Sequence, residues 1–267
     1  MLLESYFDDS ADPRRDKFYA CGGLIGGPNQ FDAFEIGWSH QTAVLKDPFR
    51  STDCETGHGQ FVDWPKPLRD KLMDRLVNVI YQTMLRGFAS IVPVKEYREV
   101  FPNCGKHDAF LLALRQTIMN MAWIASRLNQ DVGLWFEHGP IDAAIHRIYN
   151  TIADWDKWPP TKRLRGIHFE SKKLRPLQAA DLIAREAFKH IENLGVRGTR
   201  IPVRRLEEKD ALYFIFWNGR ALRYLAENGG PDNLELLSKW DTLSDAPRLG
   251  PNVLKAPPVT QGLISST

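Results

Sequence analysis

Residues 132–137, with the sequence VGLWFE, are apolar up to the final glutamate and show no alternation of apolar and polar side chains. Strands with this pattern are typical of parallel sheets that helices cover on both faces, whereas a strand with one wet face alternates. Helical periodicity is present on both sides of the segment, at residues 108–128 and 140–155. The pattern therefore predicts an α/β fold with a buried sheet.

The beginning of the chain predicts an antiparallel hairpin. Residues 2–8 and 17–25 have strand character, and the segment between them is rich in Asp, Ser and Pro, as turns are. The remaining predicted elements are strands at 87–94 and 164–170, helices at 31–45, 68–85, 176–193 and 210–228, and a loop at 47–66. A hairpin followed by alternating strands and helices indicates a mixed sheet flanked by helices.

Composition and length favour one globular domain. Hydrophobic residues make up 43% of the 267 residues and charged residues 25%, which excludes a disordered chain. No long linker interrupts the sequence, so we expect one α/β domain over residues 1–228. Residues 229–267, where Pro, Ser and Thr are frequent, are expected to form a loosely packed or flexible C-terminal extension.

Charge and cysteine content limit the class of protein further. A formal net charge of +2 provides no bulk attraction for nucleic acid, so any basic binding site has to be local. Cys21, Cys54 and Cys104 are odd in number and widely spaced, which argues against a disulfide scaffold and fits a reducing cytoplasm. No apolar run approaches the roughly 18 residues of a membrane span, so we expect a cytoplasmic protein without a membrane partner.

One carboxylate lies where the predicted helix 176–193 should be packed. The apolar stripe of this helix consists of Leu177, Ala180, Ala184, Phe188 and Ile191. Asp181 lies within that stripe, while Gln178 is expected on the opposite, polar face. Burying an unpaired carboxylate is strongly unfavourable. Either a bound metal ion or an ion pair with Arg165 or Lys172 would offset that cost, and the sequence leaves both alternatives open.

Further candidate carboxylates follow predicted strands. Asp8 and Asp9 end the first strand, and because side chains alternate along a strand, only one of them can face a given site. Glu137 ends the apolar strand, and ligand sites of sheets with parallel strands lie beyond the carboxyl ends of those strands. Turn chemistry at Asp8 and a solvated strand end at Glu137 are the structural alternatives. Convergence of Asp8, Glu137 and Asp181 would create an oxygen-only site for one or two Mg²⁺ or Mn²⁺ ions, which can hydrolyse phosphodiesters.

Three segments carry these acids: YFDDSA at 6–11, FEHG at 136–139 and FESKKLRPLQAADLIA at 169–184. Together they resemble domain-of-unknown-function family 3800, a set of proposed nucleases with a ribonuclease-H-like fold. The first segment matches the family's opening Asp-Asp-Ser-Gly with Ala11 in place of the glycine, and residues 177–184 match its Leu-Gln-x-Ala-Asp-Leu-x-Ala. The resemblance implies a ribonuclease-H-like fold with C-terminal helical additions. It also implies a metal-dependent phosphodiesterase site of Asp8, Glu137 and Asp181.

Three further acidic residues are secondary candidates for the site. Asp53 lies in the segment STDCETGHGQF at 51–61, which resembles a family segment that often places a polar or acidic residue near the site. Asp9 lies within the segment 6–11, and Glu170 lies within the segment 169–184. We expect any of the three to assist the main carboxylates rather than to replace them.

Basic residues next to the Asp181 helix predict a contact with nucleic acid. Lys172, Lys173 and Arg175 form a local cluster of the kind that grips phosphates, although a solvated basic face is the structural alternative. Lys172 is also placed to position a scissile phosphate or to neutralise developing charge. The sequence thus predicts a nuclease that uses Mg²⁺ or Mn²⁺. The rival hypothesis is a non-catalytic nucleic-acid- or protein-binding module in which Asp181 forms a structural ion pair.

Overall fold

Six strands form one mixed sheet within residues 2–193, 201–207 and 212–239, the parts of the chain that the computed structural model describes. The strands are β1 (Leu2–Ala11), β2 (Phe18–Gly26), β3 (Arg86–Pro93), β4 (Asp131–Glu137), β5 (Leu164–Glu170) and β6 (Leu212–Phe216). Their order across the sheet is β5-β4-β1-β2-β3-β6. The pairs β1–β2 and β2–β3 are antiparallel, and the other neighbouring pairs are parallel. The predicted α/β fold with a mixed sheet is confirmed.

Helices cover both faces of this sheet. They are α1 (Pro28–Thr42), α2 (Ser51–Thr56), α3 (Lys66–Gln82), α4 (Val94–Val100), α5 (Asp108–Arg127), α6 (Asp142–Ala153), α7 (Arg175–Asn193), α8 (Ile201–Glu207), α9 (Gly219–Glu227) and α10 (Leu234–Lys239). One face packs against α1, α3 and α7, and its core includes Tyr6 and Leu177. The other packs against α5, α6 and α9, and its core includes Phe7 and Leu222. The neighbours Tyr6 and Phe7 therefore point to opposite faces, as strand geometry requires.

Small residues let α7 lie close to the sheet. Gly22 of β2 pairs with Asp8 of β1, and a Cβ atom on Gly22 would lie only 2.7 Å from the Cα atom of Ala184. Only glycine fits at this position without a shift of the helix. Ala184 follows Asp181 by three residues and shares its helix face. The close approach therefore brings the carboxylate of Asp181 to Asp8. The prediction that Asp8 and Asp9 end the first strand is wrong, because β1 continues to Ala11 through its pairing with β2.

Two of the predicted elements are wrong. The predicted loop at 47–66 contains α2 and a short 3₁₀ helix, Gly59–Phe61. The predicted helix at 210–228 consists of β6 followed by α9, and residues 210 and 211 lie outside the described part of the chain. The aromatic run LYFIF pairs with β3, as residues of high strand propensity do. Asn218 then starts α9 by accepting a hydrogen bond from the backbone N–H of Ala221 at 3.0 Å.

The predicted C-terminal extension is described only as far as Lys239. In that part, α10 buries Leu234 and Leu237 in the core on the α5 side of the sheet, because its leucines recur at helical spacing. The residues from 240 onward lie outside the described part, so the expected loose packing stays a prediction there. Among the described helices, none has the length and apolar character needed to cross a membrane. Cys21, Cys54 and Cys104 are free.

Candidate functional site

The ammonium group of Lys172 lies among three carboxylates. Its Nζ atom is 2.7 Å from Oδ2 of Asp8, 3.1 Å from Oε2 of Glu137 and 3.0 Å from Oδ1 of Asp181. The lysine side chain is only 7% exposed, and those of Asp8 and Asp181 are also largely buried. We call these four residues the carboxylate–lysine cluster. It joins the three carboxylates that the sequence singles out, and it contains one residue from each of β1, β4, α7 and the β5–α7 loop.

The sheet topology explains why the cluster forms. Strands β1, β4 and β5 are parallel neighbours, so their carboxyl ends meet at one edge of the sheet. Phe7 and Phe136 pair across β1 and β4, and Asp8 and Glu137 are the next residues along each strand. Lys172 follows the end of β5 by two residues, so the loop carries its ammonium across the same edge. The two acids and the lysine thus meet at the strand ends, beneath α7.

Hydrogen bonds from neighbouring residues hold Asp181 and Lys172 in place. The backbone N–H of Ser51 donates to Oδ2 of Asp181 at 2.6 Å, and the Ser51 hydroxyl donates to the Asp181 backbone carbonyl at 3.3 Å. Nε2 of Gln178 donates to the backbone carbonyl of Lys172 at 2.8 Å, and Oε1 of Gln178 accepts from the Trp38 indole at 3.0 Å. Arg50 lies at the outer side of the cluster, with Nη2 3.5 Å from Oε1 of Glu137.

No sequence pattern indicates the roles of Ser51 and Arg50, and Gln178 does not lie on the predicted polar face of α7. Gln178 is buried, and the expectation that it faces solvent is wrong because α1 and α2 also pack against α7. The glutamine of the Leu-Gln-x-Ala-Asp-Leu motif was the sequence signal for a buried Gln178. A buried glutamine needs hydrogen-bond partners, which pointed to a structural role beside Asp181. The roles of Ser51 and Arg50 depend on α2 and the chain entering it, which lie in the segment expected to be a loop.

Burial and like charges dominate the electrostatics of the cluster. Burial raises the pKa of Asp8 well above its usual value, and the nearby carboxylates of Asp181 and Glu137 add to this rise against the opposing attraction of Lys172. Burial disfavours the charge on Lys172, but its attraction to Asp8 and Asp181 outweighs this and raises its pKa. The ammonium therefore stays protonated and is the buried positive charge among three carboxyl groups. The exposed guanidinium of Arg50 adds a second positive charge that reaches only Glu137, from the outer side.

The secondary acidic candidates lie outside the cluster. Asp9 points to the opposite face of β1, and only its backbone N–H reaches the cluster, donating to Oδ1 of Asp8 at 2.8 Å. Glu170 ends β5 beside Glu137 with an exposed side chain. Asp53 lies in the first turn of α2, two residues beyond Ser51.

The predicted basic cluster does not form a single surface. Lys172 is buried against carboxylates, whereas Lys173 is exposed. Arg175 pairs with Glu35, with 2.8 Å between Nη1 and Oε2. Arg165, the other expected partner of Asp181, instead pairs with Asp131. The three residues therefore split between the interior and the surface, because the β5–α7 loop turns its first lysine inward.

The donor set of the cluster is chemically suited to a hard divalent cation. No group of three His, Cys, Asp or Glu side chains in the described part of the chain is arranged as a ready metal site. In this cluster, the ammonium of Lys172 takes the position between the carboxylates. Three carboxylates are nevertheless the oxygen ligands that Mg²⁺ and Mn²⁺ prefer. These three carboxylates are the residues that could hold such a cation, and the position between them is taken by the ammonium of Lys172.

Comparison of the chain with protein-family models, with curated proteins and with solved structures gives no match.

Proposed function

We propose that this chain is a metal-dependent nuclease with a ribonuclease-H-like fold, which hydrolyses phosphodiester bonds of RNA or DNA. Asp8, Glu137 and Asp181 would hold Mg²⁺ or Mn²⁺, with two ions expected as in other carboxylate nucleases. The observation that carries the proposal is the convergence of these three acids on one cation at the carboxyl ends of adjacent parallel strands. When bound, the metal would activate water and stabilise the attacking and leaving oxygens.

The charge balance of the cluster supports exchange of its cation. One buried ammonium faces three carboxylates, and the pKa of Asp8, raised first by burial, is raised further by the neighbouring carboxylates of Asp181 and Glu137. A divalent cation supplies more positive charge at the same position and accepts several oxygen ligands at once. Lys172, on a long unbranched side chain, would then be released next to the site. There its ammonium would position the scissile phosphate or neutralise charge that develops on it.

Two further features support a nuclease over other hydrolases. The segments that resemble family 3800 supply all four members of the cluster. Residues 169–184 contain Lys172 and Asp181, residues 6–11 contain Asp8, and residues 136–139 contain Glu137. The proposed ribonuclease-H-like fold accords with a mixed sheet that opens with a hairpin and continues with parallel strands. In such sheets, ligand sites are found at the carboxyl ends of parallel strands, and the acids of the cluster lie there.

A non-catalytic binding module is the second candidate. It is favoured by one observation, namely that Lys172 already contacts all three carboxylates within 3.1 Å. In that role, the lysine would tie the ends of β1 and β4 to α7, and Asp181 would be half of a structural ion pair. Such a module would bind its partner without a divalent cation and would not hydrolyse it.

We expect the purified chain to cleave single-stranded RNA, single-stranded DNA or an RNA–DNA hybrid when Mg²⁺ or Mn²⁺ is present. Cleavage should stop when EDTA removes the metal, because the proposed reaction depends on the metal to activate water and to stabilise charge on the phosphate oxygens. The measurement is gel analysis of end-labelled substrates, and an Asp8→Asn variant purified in parallel excludes a contaminating nuclease. If none of the substrates is cleaved with either metal, the binding-module hypothesis is favoured.

A further inference from the structure

A cavity lies beside the carboxylate–lysine cluster, on the face of the sheet that packs against α5 and α6. Its volume is about 220 Å³, and the buried rings of Phe7, Phe110 and Phe136 line its interior. Asp9 and Arg15, both exposed, lie among the residues at its rim. The cavity is smaller than the roughly 300 Å³ at which pockets for drug-sized ligands begin, so its interior suits one small ring system.

Tyr19 is the polar group inside this cavity. Its side chain is 1% exposed, and within the described part of the chain its hydroxyl has no hydrogen-bond partner. Buried hydroxyl groups are normally hydrogen-bonded, so an unpaired one that lines a cavity indicates a polar group of a ligand. The Tyr19 ring lies 6.0 Å from that of Phe110, centroid to centroid. The cavity thus offers aromatic faces and one unpaired polar atom.

Arg15 is held over this cavity by its own turn. Its guanidinium carbon lies 5.9 Å from the centroid of the Tyr19 ring, and its backbone has a positive φ of 54°. The Asp12 carboxylate stabilises the turn by accepting hydrogen bonds from the backbone N–H groups of Arg14, Asp16 and Lys17. An arginine so placed can stack on a flat ring or contact a phosphate that follows it.

The cavity and the cluster share the same strand ends. Asp8 and Glu137 line the cavity through β1 and β4, while their carboxylates reach Lys172 on the other face. A ligand in the cavity is therefore separated from the proposed cleavage site only by the strands β1 and β4. A ring held there could have its attached backbone pass over the strand ends.

We infer that this cavity binds one unpaired base of a single-stranded nucleic acid, next to the phosphate that the cluster cleaves. The inference rests on the proposed function, because it assumes that a nucleic-acid strand reaches the cluster. Aromatic side chains are the usual platform for unstacked bases, and enclosed apolar pockets hold bases that have left a duplex. The Tyr19 hydroxyl would bond to a polar atom on the edge of the base. The cavity thus selects unpaired over paired substrates.

The test is binding of a single-stranded trinucleotide that carries 2-aminopurine, measured by quenching of its fluorescence in the presence of EDTA. We expect the parent chain to quench the 2-aminopurine fluorescence. The matching abasic trinucleotide, used as a competitor, should bind at least about tenfold more weakly than the trinucleotide that carries the base. Tyr19→Phe, which keeps the ring, should weaken binding about tenfold through the lost hydrogen bond. Tyr97→Phe is the matched control, because Tyr97 is buried outside this cavity and should leave binding unchanged.

Equal binding of the base-bearing and abasic trinucleotides would overturn the inference, and so would equal affinities of the parent and Tyr19→Phe. Arg15→Ala should also weaken binding. Because Arg15 is exposed, we expect this variant to fold normally, so its weaker binding would not be explained by misfolding. Because EDTA is present, the result is independent of catalysis. Base binding without any metal-dependent cleavage would reject the proposed nuclease but keep the cavity assignment. Cleavage without base binding would reject the cavity assignment but keep the proposed nuclease.

Discussion

Replacing Lys172 by Met should lower the free energy of unfolding by about 3–5 kcal/mol when no divalent cation is present. The lysine is buried, and its ammonium is the positive charge that Asp8, Glu137 and Asp181 share. Without it, three carboxylates face one another at the end of the sheet, and like charges in a buried site repel. Urea denaturation in EDTA at neutral pH measures the loss.

The loss should shrink as the pH falls. A carboxyl group whose pKa is raised in the folded chain, as that of Asp8 is, binds a proton more readily in the folded than in the unfolded state. The contribution of this group to the free energy of unfolding therefore increases as the pH falls toward the ordinary pKa of an aspartate. It decreases as the pH rises. Without the ammonium, this dependence should become steeper.

Two comparisons make the Lys172→Met result specific. Lys173→Met changes the adjacent, exposed lysine and should leave stability within about 0.5 kcal/mol of the parent. Addition of Mn²⁺ should stabilise Lys172→Met more than the parent, because a ligand that binds only the folded chain stabilises it, and the competing ammonium is gone. An unchanged stability in EDTA would contradict the buried cluster. A loss that Mn²⁺ does not reverse would favour the binding module.

Asp181→Asn should reduce metal-dependent cleavage by orders of magnitude while changing stability by only about 1 kcal/mol. The amide keeps the shape of the side chain and can still accept the hydrogen bond from the Ser51 backbone, but it removes one charged metal ligand. The structure explains the small effect on folding. Lys172 retains Asp8 and Glu137 as partners, so the substitution does not leave a buried cation unpaired.

The comparison for this variant is Glu99→Gln, which removes a carboxylate from the exposed surface of α4. It should cleave at the parent rate. Single-turnover cleavage and urea denaturation, measured on the same protein preparations, separate loss of chemistry from loss of fold. If Asp181→Asn cleaves as fast as the parent, Asp181 is not a metal ligand. If it loses several kcal/mol of stability, the ion pair with Lys172 matters more than the charge balance suggests.

The positions of the acids could be predicted from the sequence because each depends on a local pattern. Asp8 and Glu137 follow runs of strand character, and Asp181 interrupts an apolar helical stripe. Parallel pairing of β1 and β4 then brings the strand ends together, as the general rule for such sheets predicts. The sequence also predicts Lys172 as one of two possible ion-pair partners of Asp181, and that pair forms. The simultaneous contact of this lysine with Asp8 and Glu137 did not follow from any local pattern. Its inward turn depends on where the β5–α7 loop crosses neighbouring strands.

The missed elements have the same kind of cause. Residues 51–56 were expected to be part of a loop, yet they form α2, which contributes the Ser51 N–H to Asp181. A helix this short derives its stability from packing, not from its own sequence. The run LYFIF lies within the predicted helix 210–228, but its strand character is satisfied by pairing with β3. Tertiary contacts, which no short window contains, decide both cases.

The most direct test is a crystal structure of the protein grown with Mn²⁺, with anomalous diffraction used to locate the ion. We expect an anomalous peak in contact with the carboxylates of Asp8, Glu137 and Asp181, with the Lys172 side chain turned out of the space between them. Absence of the peak at saturating Mn²⁺, with Lys172 still bonded to all three carboxylates, would rule out the proposed metal site.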